Sequence, residues 1–346
     1  METLWFCLVA LMLAVYVILD GFDLGAGIVH FLVGRTAEER RLVLRTVGPV
    51  WDGNEVWLLA AGGTLYCTFP GLYAAGFSGL YLPLMLVLWL LILRGLSIEF
   101  RNHAHSALGR QLGDLVFALT STLLAVFLGA ALGNVMRGVP LDRSGFFFLP
   151  LWTDFRTGPP TGVLDWYTVL VGVLALAALA QHGALWVALK TEGTLEARAR
   201  RVARSVWHVV AGLTLVVAGA TLRVQPLLGG NLRAHRWGYI FPALALVALI
   251  AIRRLVARPD SFRAFVASCV YITGMLASAA FGLFPYVLPS NTDPRLGLTV
   301  WNTATASHGL RVALAWWVPG MVVVLGCFIF IYWQFRGKLQ TEGEGY

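Results

Sequence analysis

Charge is what this sequence has least of. Asp, Glu, Lys and Arg make up only 13% of its 346 residues, where a water-soluble domain carries about a quarter. So small a share cannot cover a solvent-facing surface, and a soluble globular fold is excluded. Cysteine is scarce as well. Cys7, Cys67, Cys269 and Cys327 all lie in apolar segments and form no CxxC pair, which argues against a disulfide framework and a zinc site and for buried small hydrophobes. Residues 1–20 lack a basic beginning and a small-residue cleavage site, and their apolar run continues to Leu32. A cleavable leader is therefore not expected.

What the chain has is apolar length. Hydrophobic residues make up 58% of it and its mean hydropathy is +0.74. A membrane helix needs about 20 mostly apolar residues. Reading on that rule places helices near residues 4–32, 49–69, 75–96, 112–136, 163–189, 206–222, 238–252, 265–288 and 310–335. The expectation is an all-α integral membrane protein of about nine transmembrane helices. The net charge of +8 invites a nucleic-acid partner, but the basic residues are spread through loops along the whole chain. They serve orientation better, because cytoplasmic loops collect Lys and Arg. With the N-terminus outside, 18 of the 26 fall on the cytoplasmic side and 7 outside. The C-terminus is then cytoplasmic.

A faint internal repeat divides the chain. Gly79-Leu-Tyr-Leu-Pro83 through Arg94-Gly-Leu96 resembles Gly238-Tyr-Ile-Phe-Pro242 through Arg253-Arg-Leu255 at a constant offset. Four helices per unit is an even number, so both units enter the membrane from the same side, as parallel repeats do. This predicts a first four-helix repeat over 1–136, an external loop over 137–162 and a second repeat over 163–288. Residues 289–346 then hold a further loop, a peripheral ninth helix and a short cytoplasmic tail.

Only the first unit is acidic. Its first helix carries Asp20 and Asp23, and its second carries Trp51-Asp-Gly-Asn-Glu55-Val-Trp57, with Asp52, Gly53 and Asn54 between the ends. Each acid pair is three residues apart and shares a helix face. Glu99, between Arg94 and Arg101, follows the third helix on the same side, so all five carboxylates are expected in one leaflet. A charge in the bilayer costs at least about 2.5–3.5 kcal/mol, so the cluster needs partners, water or protons. Clustered carboxylates that repel one another can pass protons, and a proton or cation path is the functional reading. The competing reading is structural: ion pairs with Arg94, Arg101 or Arg45 that fix the bundle.

Seven histidines remain: His30, His103, His105, His182, His208, His235 and His308. His30, His182, His208 and His308 lie where a membrane haem could take axial ligands, but no spacing demands one. Hydrogen-bonded or interfacial roles are the simpler reading.

The stretches Asp20–Gly27 (DGFDLGAG), Gly48–Leu58 (GPVWDGNEVWL), Tyr73–Leu80 (YAAGFSGL) and Phe284–Thr292 (FPYVLPSNT) resemble those of subunit II of cytochrome bd-type quinol oxidases, over essentially the whole chain. The resemblance implies an architecture of two four-helix bundles plus one helix, in a bacterial cytoplasmic membrane. It implies a respiratory complex that oxidises quinol, reduces dioxygen to water and generates a proton-motive force. Subunit I would carry two b-type haems and one d-type haem and bind the quinol. This chain would hold no haem firmly, with room for a structural quinone or lipid, and small single-helix accessory subunits are further partners. The family's proton-uptake acids match Asp52, Asp20 and Glu99. Asp23, Trp51, Gly53, Asn54, Glu55, Trp57, Arg94 and Arg101 form the supporting motif, and no catalytic residue falls on this chain. The rival is a proton-coupled secondary transporter, which would need polar groups from both units around a central cavity.

Overall fold

The computed structural model describes residues 1–258 and 260–339, with only the backbone of Asn102. α1 (Glu2–Ile28) runs into the single-turn α2 (His30–Val33), and α3 (Ala37–Val47) leads to α4 (Trp51–Thr68). α5 (Pro70–Gly79), α6 (Tyr81–His103) and α7 (Ala107–Arg137) follow. Next come α8 (Trp166–Lys190), α9 (Gly193–Val224), α10 (Pro226–Ala234), α11 (Ile240–Val256), α12 (Ser261–Leu283) and α13 (Ser307–Gln334). A small antiparallel ribbon joins β1 (Tyr286–Leu288) to β2 (Leu298–Thr299) between α12 and α13.

Proline sets the shared punctuation of the two series. α4 stops at Phe69 and Pro70 opens α5, just as α9 stops at Gln225 and Pro226 opens α10. Proline lacks the N–H that an uninterrupted helix needs but suits the first turn of a new one. In both places a long helix, a short oblique one and another long one follow in order. The packing repeats too, with α6 on α7 and α11 on α12, and with α1 on α4 and α8 on α9.

α1 and α8 cross where neither helix has a side chain. A Cβ on Gly183 would lie 2.0 Å from the Gly25 carbonyl carbon, and one on Gly25 would lie 2.1 Å from the Leu179 carbonyl oxygen. Backbone cannot yield as a side chain can, so any larger residue must part the helices. Such close approach through small residues is how membrane helices gain dispersion contact where lipid offers no hydrophobic drive. Gly183→Ala is expected to cost about 1–3 kcal/mol through overpacking. A thermal melt of the purified protein would register the loss, and an unchanged Tm would deny the contact.

Eight helices among the described residues are long and apolar enough to cross a membrane. The predicted span at 49–69 forms α4, but Trp51, Asp52, Asn54 and Glu55 in its opening turns keep it outside that set. The span predicted at 206–222 is longer than expected, because α9 already begins at Gly193. Its Ala- and Arg-rich start is strongly helix-forming yet polar, so hydropathy concealed it. At 32 residues it is about 48 Å long and outreaches the roughly 30 Å hydrocarbon layer. The predicted segment at 75–96 is broken at Leu80, and the one at 265–288 ends at Leu283 and passes into β1. α13 buries only Leu310 and packs on α4, in keeping with a peripheral last helix.

Between the spans, α3 is fixed at its start and from across the chain. The Glu39 amide donates to Thr36 Oγ1 (3.1 Å) and the Thr36 amide donates to Glu39 Oε2 (3.2 Å), a reciprocal cap. The other Glu39 oxygen accepts from the Arg198 guanidinium of α9. That hydrogen bond holds the carboxyl down to about 2, so the tie is complete above the ordinary carboxylate range and is lost only as pH falls through about 2.

Candidate functional site: a buried acid–arginine cluster

The centre of the site is Arg94, fully buried on α6. One terminal nitrogen lies 2.6 Å from Asp20 Oδ1 on α1, and the other lies 3.2 Å from Glu55 Oε1 on α4. A guanidinium is charged at any accessible pH and presents a rigid fork, so it bridges two helices at once. The local sequence builds this directly. Gly95, next to Arg94, lets the Trp51 ring lie against α6, with a Cβ there meeting the ring at 3.2 Å, and this brings the opening turns of α4 beside it.

One turn further along α1, Asp23 is also sealed from solvent. Asn54 Nδ2 donates to its Oδ2 at 2.8 Å, and the Tyr332 hydroxyl of α13 donates to Asn54 Oδ1 at 2.8 Å. Trp57 is buried on the same helix, edge-on to Phe328 at 5.5 Å. Gly53 faces Phe328 with space for little more than a methyl group. Thus the peripheral α13 reaches Asp23 through Tyr332 and Asn54, with Phe328 packed beside Trp57.

Charge and hydrogen bonding are both unbalanced here. One arginine stands against three carboxylates, Asp20, Asp23 and Glu55. The Tyr16 hydroxyl, both Asp20 oxygens, Asp23 Oδ1 and all three Arg94 side-chain nitrogens are buried with no well-aligned protein partner. The Arg94 contacts are therefore close ion contacts off the hydrogen-bonding directions. Buried polar atoms in such number need water or shared protons.

Not every expected residue joins the cluster. Asp52 and Glu99 are exposed at the protein surface, Asp52 one turn before Glu55 and Glu99 on α6 beyond Arg94. Arg101 belongs to a different centre. Its Nε donates to Asp114 Oδ1 (2.6 Å), Arg40 Nε donates to Asp114 Oδ2 (2.9 Å), and His30 Nε2 lies 3.0 Å from Asp114 Oδ1. Sequence reading passed over Asp114, Tyr16 and Tyr332. Asp114 left a signal, a lone acid in the apolar start of α7, whereas a tyrosine in a membrane helix is too ordinary to single out.

Of the four histidines placed within membrane helices, the two buried ones are already engaged by protein groups. His182 has both ring nitrogens committed, Nδ1 to Ser268 Oγ (2.7 Å) and Nε2 to the Ile18 carbonyl (2.9 Å). His30 is held by Asp114, while His208 and His308 are exposed on α9 and α13. Gln181, next to it on α8, donates to the Ala203 carbonyl (3.2 Å). His182 thus ties α8 to both α12 and α1, and Gln181 ties it to α9.

Comparison with known proteins converges on one family. The family model for cytochrome bd terminal oxidase subunit II matches residues 1–335. The chain is 32% identical to the probable cytochrome oxidase subunit 2 of Haemophilus influenzae, an alignment covering 98% of this chain and 95% of the relative. It is 30% identical, with the same coverage, to the cytochrome bd-I ubiquinol oxidase subunit 2 of Escherichia coli K12. A chain in the structure of bd oxidase from Geobacillus thermodenitrificans superposes with a TM-score of 0.77 at 19% identity, covering 96% of this chain and 98% of that one. That match speaks to the fold.

Proposed function

Because the chain belongs to the cytochrome bd terminal oxidase subunit II family, we propose that it serves as the second subunit of a quinol oxidase and feeds cytoplasmic protons toward the site of dioxygen reduction. Its principal partner is the haem-bearing subunit I. The haems there, two b-type and one d-type, supply electron transfer and oxygen reduction. What this chain's own residues do is collect, hold and pass protons. Residues 1–136 and 163–288 act as two repeats, the first carrying the proton route and the second packing. The N-terminus faces outward and the C-terminus faces the cytoplasm.

One observation carries the reading: Glu55 and Asp20 share Arg94, and Glu55 keeps 21% of its side chain open while Asp20 keeps none. A proton taken from water by exposed Asp52 or Glu99 reaches Glu55 from Asp52 along one helical turn. The Arg94 fork then places the next carboxylate, Asp20, within the same charged contact. Arg94 holds the pair in register and compensates one negative charge, so that protons compensate the rest. The transporter alternative needs polar groups from both repeats around a central cavity, whereas the polar groups of α8 are satisfied by the protein itself.

The test is oxygen consumption per haem d by purified complexes. Asp52→Asn keeps the shape but cannot ionise, and because Asp52 is exposed its loss should leave assembly intact. Turnover is expected to fall about 10²-fold, the lower end of the range for proton-transfer groups. Glu99→Gln, at another exposed acid, should give a loss that does not add to it. Normal turnover in Asp52→Asn would remove that residue from the route.

A further inference from the structure

The ends of α8 and α13 meet the turn between α3 and α4, and a cleft of about 180 Å³ opens there. Four cationic residues line it, Arg45, Lys190, Arg336 and Lys338, and among the described residues no carboxylate does. Trp186 and Tyr332 form the aromatic part of its wall. The basic groups are held in place. Lys190 Nζ donates to the Phe335 carbonyl (2.7 Å) and lies 5.0 Å from the Trp186 ring centroid. The Leu339 amide donates to the Lys190 carbonyl (2.8 Å), and Lys338 pairs with Glu196 (2.8 Å). Residues 335–339 are thereby strapped across the end of α8.

We propose that this cleft binds a phosphate group, that of an anionic phospholipid. Both α8 and α13 are apolar enough to span a membrane, so their ends lie at the depth of lipid headgroups. Cations gathered between helix ends at that depth recognise lipid phosphate. The volume suits a phosphate and its glycerol rather than a whole lipid, and α13 exposes Val322, Leu325 and Ile329 as a surface for acyl chains. Free phosphate shares the same chemistry but would make no use of the aromatic wall. Tyr332, in that wall, is the residue that donates to Asn54 and so braces Asp23. A bound headgroup would steady this end of α13 and with it the acid cluster. The inference rests on α8 and α13 crossing the membrane and not on the proton route.

The intact complex is reconstituted in phosphatidylcholine vesicles with or without phosphatidylglycerol, then delipidated, and retained phosphatidylglycerol is counted by native mass spectrometry. In parallel, labelled inorganic phosphate is titrated into the delipidated complex. The Arg45→Gln/Arg336→Gln double variant is expected to retain phosphatidylglycerol roughly thirtyfold more weakly, about fivefold for each cation removed. Arg45→Lys/Arg336→Lys should restore retention, which separates lost charge from lost folding. Phosphate binding that the double variant abolishes, with phosphatidylglycerol retention equal in both proteins, keeps the phosphate site but makes free phosphate its ligand. Equal retention of lipid and equal binding of phosphate in all three proteins would overturn the proposal.

Discussion

Arg94→Gln is expected to destabilise the complex by about 3–5 kcal/mol, because it strips the cation from carboxylates that stay buried. Asp20 has no solvent exposure, and among the described residues Arg94 is the one cation in contact with Asp20 or Glu55. A thermal melt followed through haem absorbance would report the loss as an early collapse of the complex. The second variant decides the cause. Asp20→Asn in the Arg94→Gln background removes the uncompensated charge and should recover part of the loss, whereas two independent packing defects would simply add. Arg94→Lys is expected to fall between, since an ammonium keeps the charge but cannot fork toward two helices at once. A melt of Arg94→Gln that coincides with the parent would mean that protons already neutralise these carboxylates. The same coupling warns against reading Asp20→Asn alone as a proton-route variant, because it leaves a buried guanidinium short of a partner. Exposed Asp52 is free of that difficulty.

The sequence made the membrane helices legible because hydropathy and charge exclusion act on every residue of a span. The acid cluster was legible for the opposite reason: Asp20, Asp23 and Glu55 stand out only where charge is otherwise excluded, though the same signal also drew in exposed Asp52. Partner choice was less visible. Arg94, Arg101 and Arg45 were equivalent candidates by position along the chain. Three-dimensional placement gives Arg94 to Asp20 and Glu55, Arg101 to Asp114, and Arg45 to a cleft formed by segments up to nearly 300 residues apart in sequence. Helix ends were the other weak point. α9 begins in a run of Arg and Ala that hydropathy reads as a loop, whereas α4 was expected at 49–69 and forms there despite its polar opening turns. The misplaced start of α9 arises where a helix leaves the apolar layer.

Asp114→Asn is expected to be nearly as costly to stability as Arg94→Gln and to leave turnover alone. Among the described residues, Asp114 is the one anion contacting His30, Arg40 and Arg101. It ties α7 to α2, to α3 and to the last turn of α6, and Arg101 also reaches the Ala37 carbonyl at 3.3 Å. An amide of the same shape keeps part of the hydrogen bonding but leaves two guanidiniums, one of them buried, facing each other without an anion. Removing one partner of a buried charge group costs about 3–5 kcal/mol, and here several cations share the loss. Yet Asp114 makes no contact with Arg94, Asp20 or Glu55, so protons on the proposed route do not pass it. The two acids therefore make opposite predictions on the same pair of measurements. Asp114→Asn should lower the Tm and the yield of haem-loaded complex while oxygen consumption per haem d stays at the parental rate. Asp52→Asn should keep the Tm and lose the rate. If Asp114→Asn complexes that survive purification turn over as slowly as Asp52→Asn, the His30–Asp114 centre belongs to proton uptake, and the route enters this chain by a second door.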